Sequence, residues 1–318
     1  MRILKFGGKS LATAEKMQNI CQFIKRVYKK DQKLIIVVSA IGSTTDLLLN
    51  KSKEFAPHNT SLRELDVLLS CGETISSSLF AMTLNSIGVP AESLQGWQVK
   101  INTMGEHQNS LITSIDKTRI NECLNNGIVA VISGFQGINK FGNITTLGRG
   151  GSDTTASALG ATFQTDVELY SDFNGLFCCD PNEQSSKKIQ HTTLDRLDFL
   201  SQNNAKVISN RAVKIAKEHN ISFTLKSSTQ PNLKGTSICS LESNQISLTT
   251  NQNLCEICIY IPEKKKLEFM FKNVLIWLKK YKLYNLTLNY NNIKLLINQS
   301  EKSEILKILS EKLKLTNV

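Results

Sequence analysis

Short apolar runs alternate with segments of helical periodicity along most of the chain. Residues 34–38 and 128–132 are continuously apolar, a pattern typical of strands in a parallel sheet that is covered on both faces. Segments such as 12–30 place apolar residues three or four positions apart, which predicts amphipathic helices. Further strands are predicted at 2–6, 91–101, 167–170, 176–179 and 222–225, and further helices at 62–87, 116–125, 153–161, 193–202 and 209–219. This alternation predicts an α/β sandwich with a mainly parallel sheet.

The last part of the chain has a different pattern. Residues 241–253 are polar and have no helical periodicity, so we predict a linker there. The segments after it predict a strand, a helix, a hairpin and a helix, at 256–261, 267–281, 286–298 and 301–313. The predicted organisation is therefore a large domain over residues 1–240, a linker over 241–253 and a small α+β domain over 254–318.

The composition is that of a globular protein, with 41% hydrophobic and 20% charged residues in 318. No apolar run approaches the roughly 20 residues that span a bilayer, and the first residues lead directly into a strand without a signal-peptide pattern. The eight cysteines are scattered, and the pair Cys255 and Cys258 has no second pair or histidines beside it. We expect free thiols, a cytoplasmic location and no membrane partner.

The formal net charge of +11 raises the question of nucleic-acid binding. The excess of basic residues is spread along the chain, and tail lysines such as Lys279 and Lys280 are not interleaved with a stacking motif. A lysine-rich surface explains the charge, and we expect no nucleic-acid partner.

A glycine-rich loop at 144–153 is the most informative stretch. Three of the four residues from 148 to 151 are glycines and the fourth is Arg149, so the backbone can approach a ligand without obstruction from a Cβ. A helix is predicted directly after the loop, with Ser152 or Asp153 as its cap. The helix N-terminus and the arginine together favour an anionic ligand, a carboxylate or a phosphate.

Four motifs follow one another along the chain. They are Lys5-Phe-Gly-Gly8, Val38-Ser-Ala-Ile-Gly-Ser-Thr-Thr-Asp46, Gly72-Glu73 and Thr145-Thr-Leu-Gly-Arg-Gly-Gly-Ser-Asp153. With these motifs in this order, residues 1 to about 240 resemble the aspartate kinases of the amino-acid kinase superfamily. The resemblance implies an amino-acid-kinase-like three-layer sandwich.

The resemblance also implies an activity and its substrates. The γ-phosphoryl group of ATP, bound with Mg²⁺, would pass to the β-carboxylate of L-aspartate and give 4-phospho-L-aspartate, the first step towards lysine or diaminopimelate, threonine and methionine. A carboxylate is already ionised at neutral pH, so the reaction needs positioning and charge neutralisation rather than a general base. None of the four histidines lies in the motifs, which fits this chemistry.

The resemblance assigns catalytic roles to Lys5 and Asp153. Lys5 would reach the phosphates and Asp153 would organise the lysine and the Mg²⁺-nucleotide. Glu73 would receive the ammonium group of the substrate, and Arg149 would hold a substrate carboxylate. The other substrate-binding positions implied are Ser39, Thr45, Gly150, Gly151 and Ser152.

The resemblance implies an ATP site with no directly assigned metal ligand. Its positions are Lys5, Phe6, Gly7, Gly8, Ser171, Asp172, Phe177, Asp180, Lys206 and Val207. The sequence departs from the family pattern at Asn174, Phe177 and Asn182, where Asp, Tyr and Arg are common. It also departs at Lys9, where a small hydroxyl residue is usual. These departures bear on ATP affinity more than on the type of reaction.

Two alternative functions remain open on sequence grounds. One is another kinase of the superfamily, acting on glutamate, acetylglutamate or uridylate, and the other is a non-catalytic nucleotide-binding relative. The C-terminal part resembles an ACT-type regulatory module by its order of elements. We expect one abbreviated, divergent copy of it, a homodimer, and weak or no inhibition by lysine or threonine.

Overall fold

The computed structural model describes residues 1–31, 33–58, 60–179, 186–203, 207–238, 246–251 and 256–315. Its contacts divide the chain into two compact units. The first unit comprises Met1–Asn174 with Ser209–Gly235, and the second comprises Gly175–Ile208 with Thr236–Val318. The domain boundaries at 240 and 254 stay a prediction, since this grouping assigns residues 175–208 to the same unit as the C-terminal part.

The first unit contains ten strands and six helices among its described residues, numbered here in chain order. The strands are β1 (Arg2–Phe6), β2 (Leu34–Val38), β3 (Ala91–Leu94), β4 (Ile101–Met104), β5 (Leu111–Ile115), β6 (Val129–Ser133), β7 (Gln136–Asn139), β8 (Ile144–Thr146), β9 (Val167–Ser171) and β13 (Phe223–Ser227). The helices are α1 (Ala14–Tyr28), α2 (Thr44–Phe55), α3 (Leu62–Ser86), α4 (Thr118–Asn125), α5 (Gly151–Phe163) and α7 (Asn210–His219).

The main sheet of the first unit is parallel. Its strands lie in the order β13-β9-β1-β2-β6-β3. A separate four-stranded sheet has the order β5-β4-β7-β8 and mixes one parallel with two antiparallel pairs. All residues of β2 and β6 are buried, as their continuously apolar sequences predicted.

Helices cover the main sheet on both faces. One face of the sheet, with Leu4 and Phe6 of β1, packs against α1 and α3 in the hydrophobic core. The ring of Phe6 stacks on Phe80 of α3 and on Tyr170 of β9, with ring centroids 5.8 and 4.8 Å away. Helix α5 contacts β1 and β2 and packs against α7. The predicted three-layer α/β sandwich is thereby confirmed.

Helix α3 carries five buried polar side chains of the first unit, those of Asp66, Ser70, Glu73, Ser76 and Ser77. It begins after Ser61, whose hydroxyl accepts a hydrogen bond from the Glu64 backbone N–H. By length and composition alone α3 could cross a membrane, but half of its most apolar stretch is buried within the protein. Its buried side includes the carboxylates of Asp66 and Glu73. We therefore interpret α3 as a core helix.

The second unit contains eight strands and three helices among its described residues. The strands are β10 (Leu176–Phe177), β11 (Lys188–Ile189), β12 (His191–Thr192), β14 (Thr236–Ile238), β15 (Ser247–Asn251), β16 (Glu256–Tyr260), β17 (Asn285–Leu288) and β18 (Asn292–Leu296). The helices are α6 (Leu194–Gln202), α8 (Leu267–Trp277) and α9 (Lys302–Lys312). The predicted strand, helix, hairpin and helix after residue 255 are all present.

The C-terminal strands form an antiparallel sheet in the order β15-β16-β18-β17. Strand β15 lies within the range 241–253, where the sequence predicted a linker, and pairs with β16 along five residues. Its mostly polar sequence carries no clear strand signal, although Ser247 and Leu248 are buried. Cys258 is buried in β16, and Cys255 lies outside the described residues.

Candidate functional site

Loops at the carboxyl edge of the main parallel sheet hold four of the predicted site residues, namely Gly7, Gly8, Ser39 and Asp172. They follow β1, β2, β6 and β9, at residues 7–8, 39–43, 134–135 and 172–174. In an open α/β sheet this edge is where ligands bind.

Lys5 and Asp153 form an ion pair. Because side chains alternate along a strand, Lys5 points to the opposite face of the sheet from Leu4 and Phe6, which is the face that α5 covers. The Lys5 Nζ lies 2.6 Å from the Asp153 Oδ1, and these side chains are only 13% and 17% exposed. The ion pair and the partial burial together fix the position of the Lys5 ammonium group near the carboxyl end of β1.

The turn after β1 needs its second glycine for packing. A Cβ on Gly8 would lie 2.3 Å from the carbonyl oxygen of Ala40, so only glycine fits there. The Gly8 carbonyl accepts a hydrogen bond from the Gly42 N–H at 3.0 Å. The Gly7 N–H donates to the Tyr170 carbonyl, whereas the Gly8 N–H has no acceptor among the described residues and is the one free to bind a phosphate oxygen.

Glu73 lies buried beneath the loop after β2. Its Oε1 accepts a hydrogen bond from the Ala40 N–H at 3.0 Å, while its Oε2 is buried and has no partner among the described residues. Burial raises the pKa of this carboxyl group to about 8, although the Ala40 N–H acts in the opposite direction. A buried carboxylate oxygen with an open acceptor position suits a cationic group on a ligand.

Serine hydroxyls support the same region. Ser76, one turn after Glu73, donates to the Ser39 carbonyl at 2.8 Å, and Ser133 at the end of β6 donates to the Glu73 carbonyl at 3.3 Å. The predicted substrate position Ser39 is thereby tied to α3. Thr45 lies half-buried in the first turn of α2, a helix that the sequence analysis did not predict.

The arginine loop, residues 147–150 between β8 and α5, depends on two glycines with left-handed backbones. Gly148 and Gly150 have φ angles of +74° and +71°, which other residues rarely adopt. A Cβ on Gly150 would also lie 2.2 Å from the Cβ of Ser209. Arg149, between the two glycines, is exposed and makes no hydrogen bond or ion pair within the described part of the chain. Its guanidinium group is available to an anionic ligand.

The predicted cap of α5 was wrong. The helix begins at Gly151 with Gly150 as its N-cap, and no side chain caps it. Because Gly150 adopts the left-handed conformation, the chain enters the helix before Ser152 and Asp153, which lie in the first turn. Ser152 is buried and packs closely on Gly134. A Cβ on Gly134 would lie 2.8 Å from the Cβ of Ser152. Asp153 instead serves as the partner of Lys5.

These contacts close into a ring. The turn after β1 contacts the loop after β2, and that loop contacts α3. The start of α5 contacts the residue after β6 and is joined to β1 by the ion pair. The Gly134 N–H donates to the Val38 carbonyl at 3.1 Å and so joins the ends of β2 and β6. Lys5 of β1, Glu73 of α3 and Asp153 of α5 thus belong to one set of mutually packed elements.

On the nucleotide side, the predicted residues of the first unit take different places. Ser171 ends β9 beside β1 and is exposed, as is Asp172 after it. Phe6 is fully buried in the core, so its contribution is to fix the turn that follows. Lys9 is exposed, and its carbonyl accepts a hydrogen bond from Lys16 Nζ at 3.1 Å.

The other predicted nucleotide residues belong to the second unit or lie outside the described residues. Phe177 in β10 and Val207 are both half-buried in the second unit. Asp180, Asn182 and Lys206 lie outside the described residues. Their predicted contacts with ATP stay predictions.

Sequence reasoning missed a second polar cluster beside the arginine loop. Asp66 of α3 is fully buried and accepts hydrogen bonds from His107, Gln108 and Thr146. A signal was present, because Asp66 precedes Glu73 by seven residues and such residues share one face of a helix. Within the described residues, no group of three histidine, cysteine or acidic side chains could hold a metal ion.

The comparisons with known proteins agree with this geometry. A sequence model of the Amino acid kinase family matches residues 1–227. The chain belongs to the amino acid kinase family. The matched range ends with β13, so it includes every strand of the main parallel sheet in the first unit.

Curated relatives within the amino acid kinase family include aspartokinases. The chain is 41% identical to the aspartokinase of Geobacillus stearothermophilus over 238 residues, which cover 74% of this chain and 58% of that protein. It is 38% identical to the aspartokinase of Rickettsia bellii over 277 residues, covering 84% of this chain and 68% of that protein. The resemblance to aspartate kinases is confirmed, although the chain spans little more than half the length of the first relative.

Solved structures of this family share the fold. Aspartokinase III of E. coli, in complex with aspartate and ADP, superposes with a TM-score of 0.85 over 99% of this chain and 100% of that chain. At 18% sequence identity, this likeness concerns the fold.

Proposed function

We propose that this chain transfers the γ-phosphoryl group of ATP to the β-carboxylate of L-aspartate, giving 4-phospho-L-aspartate. One observation carries the proposal. The Lys5–Asp153 ion pair lies on the same ring of contacting loops as the buried Glu73 carboxylate, which has an unpartnered oxygen. A free acceptor for an ammonium group beside a positioned lysine suits an amino-acid substrate and a phosphoryl donor.

Each side chain then has a separate task. Glu73 accepts the substrate ammonium group through Oε2, and Arg149 binds the α-carboxylate. The β-carboxylate is ionised at neutral pH and acts as the nucleophile without a base. The Lys5 ammonium neutralises charge on the transferred phosphoryl oxygens, and Asp153 holds that ammonium in place.

Magnesium would enter with the nucleotide. The described residues offer no preformed cluster of metal ligands, but Mg²⁺ is commonly held by one or two carboxylates together with substrate phosphates. Asp153 is the acidic side chain that fits this task, since it is partly exposed beside the lysine. When bound, the ion would neutralise phosphate charge and orient the nucleotide.

We further infer that the product supplies synthesis of lysine or diaminopimelate, threonine and methionine, in the cytoplasm. For the role in amino-acid synthesis, the support is the aspartokinase names of the relatives. Phosphoryl-transfer assays with aspartate, glutamate and uridylate as parallel acceptors test the activity. We expect turnover with aspartate and ATP-Mg²⁺ alone. Turnover with another acceptor only, or saturable ATP binding without transfer to aspartate, would refute the proposal.

A further inference from the structure

The cluster around Asp66 joins three separate segments of the first unit. Both carboxylate oxygens of Asp66 face the Gln108 backbone N–H, at 3.2 and 3.3 Å. The side chains of His107, Gln108 and Thr146 donate to the same carboxylate. A fully buried carboxylate with this many donors is well satisfied. It fixes the loop at 106–110 and the end of β8 to helix α3.

The fixed loop supports the backbone on which Arg149 sits. The Ser110 N–H donates to the Thr146 carbonyl at 3.1 Å. A Cβ on Gly148 would lie 2.8 Å from the Gln108 carbonyl oxygen. The loop at 106–110 is therefore in close contact with Gly148, the residue that precedes Arg149. Gln108 holds a left-handed backbone with a φ of +67°, an uncommon conformation for this residue type that the surrounding hydrogen bonds maintain.

A second arginine, Arg211 of α7, holds the backbone beside Arg149 by hydrogen bonds. Arg211 Nη1 donates to the Leu147 carbonyl at 2.7 Å and to the Ser110 carbonyl at 3.3 Å. The Arg149 side chain itself has no partner among the described residues, but the backbone on either side of it is held. The held backbone can therefore fix the position from which the Arg149 side chain extends, while its guanidinium group stays available to a ligand.

Helix α3 connects this cluster to the other end of the substrate site. Asp66 and Glu73 are seven residues apart on the same buried side of the helix. Glu73 is the proposed acceptor of the substrate ammonium group, and Asp66 holds the loop that carries the proposed carboxylate ligand. One rigid helix thus sets the separation between the two groups that recognise an amino acid.

We propose that Asp66 is a positioning residue that fixes Arg149 relative to Glu73 and so determines aspartate affinity. This inference rests on the proposed function. Asparagine at this position would keep the size but present one acceptor and one NH₂ group to a set of donors, leaving donors unpaired and the loop free to move. The effect should fall on substrate binding, because among the described residues no hydrogen bond or ion pair joins Lys5 to the cluster.

The test is steady-state kinetics of the full chain with Asp66→Asn. We expect the aspartate KM to rise about tenfold or more, with the ATP KM and kcat within about twofold of the parental values. Thr146→Val, which removes one donor only, should raise the aspartate KM by a smaller factor and covers the case in which Asp66→Asn does not fold. Glu64→Gln, an exposed carboxylate on the same helix, is the matched control and should change neither KM.

Two further measurements separate positioning from general support. In an Arg149→Ala background, Asp66→Asn should have little further effect on the aspartate KM, since the group it aims is gone. Amide hydrogen exchange should become faster at 105–110 and 147–150 in Asp66→Asn and stay unchanged in Glu64→Gln.

Either a parental aspartate KM in Asp66→Asn or a full, additive effect in the Arg149→Ala background would overturn the inference. If the parental protein phosphorylated no aspartate, the proposed function would fail, and unchanged exchange at 147–150 would separately show that Asp66 does not hold the loop.

Discussion

The carboxyl group of Glu73 is buried and only half hydrogen-bonded, which links aspartate binding to pH. Burial raises its pKa to about 8, so below that pH the free protein holds it mainly neutral. An incoming ammonium group favours the ionised form and must displace the proton. We predict that the aspartate KM falls as pH rises from 6 towards 8, by up to about tenfold per pH unit, and levels off above.

Kinetics at saturating ATP across this range will check the prediction for Glu73. The Glu73→Gln variant cannot lose a proton there, so its aspartate KM should be higher and independent of pH. A flat parental profile between pH 6 and 8 would show that the carboxyl group does not meet the substrate ammonium.

Arg149 is the exposed cation of the site and has no competing partner among the described residues. Replacing it by alanine removes a charge-assisted, potentially bidentate contact. We predict a loss of about 3 kcal/mol in kcat/KM for aspartate, roughly a hundredfold, expressed mainly in KM. Arg26→Ala, an exposed arginine on α1, is the control. Parental aspartate kinetics in Arg149→Ala would exclude the arginine as the carboxylate ligand.

Lys5 differs from Arg149 in that its ammonium group is already paired and partly buried. Charge on the phosphoryl oxygens grows in the transition state, so the ammonium should matter more to turnover than to ground-state binding. We predict that Lys5→Met lowers kcat by about a hundredfold or more and changes the ATP KM less. The exposed Lys33→Met serves as control, and turnover close to the parental rate in Lys5→Met would contradict the role.

At the scale of elements, the three adjacent strands β1, β9 and β13 are joined by a polar group on one sheet face. Glu168 of β9 pairs with Arg2 at 2.6 Å and with Lys226 at 2.8 Å, and Tyr170 donates to it at 2.9 Å. Burial alone would raise the pKa of this carboxyl group, but the hydrogen bond and charge of Lys226 and then the charge of Arg2 lower it. A lowered carboxyl pKa stabilises the fold above the unfolded-state pKa of about 4.3, and the stabilisation disappears as pH falls through the folded-state pKa.

We therefore predict that Glu168→Gln destabilises the first unit by about 2 kcal/mol at pH 7. The difference in free energy of unfolding between the variant and the parental protein should decrease below pH 4, where the parental carboxylate becomes protonated. Urea unfolding at both pH values measures this, with the exposed Glu64→Gln expected to match the parent at each. An equal gap at pH 7 and pH 3 would mean that packing, not charge, accounts for the effect.

The elements also show what the sequence could and could not predict. Strands β2 and β6 were predicted because burial on both faces of the sheet makes their sequences continuously apolar. The long helix α3 was predicted from its helical periodicity. Helix α2 was missed because none of its residues is buried, so packing left no periodic mark on its sequence. The arginine loop was identified from its glycines. Its support by Asp66 depends on Gln108 and Thr146, which are distant in sequence and become neighbours only in the fold.

At the scale of the whole molecule, the remaining prediction is a homodimer. Leu267 and Val274 of helix α8, and Leu278 directly after it, are buried. Phe269 and Ile276, however, are 67% and 68% exposed. They are seven residues apart and so share one face of the helix. Exposed apolar side chains on a small unit favour association with a second copy.

Sedimentation of the full chain should therefore give twice the chain mass at micromolar concentration. An Ile276→Lys substitution places a charge in the proposed contact and should shift the protein towards the monomer, because burying an unpaired ammonium group is costly. Glu268→Lys changes charge at an exposed neighbouring position and should leave the dimer intact. Secondary structure measured by circular dichroism should match in all three proteins, so that a lost dimer reports on the surface and not on unfolding. A monomeric parental protein would refute the homodimer, and a dimer that persists in Ile276→Lys would move the interface away from α8.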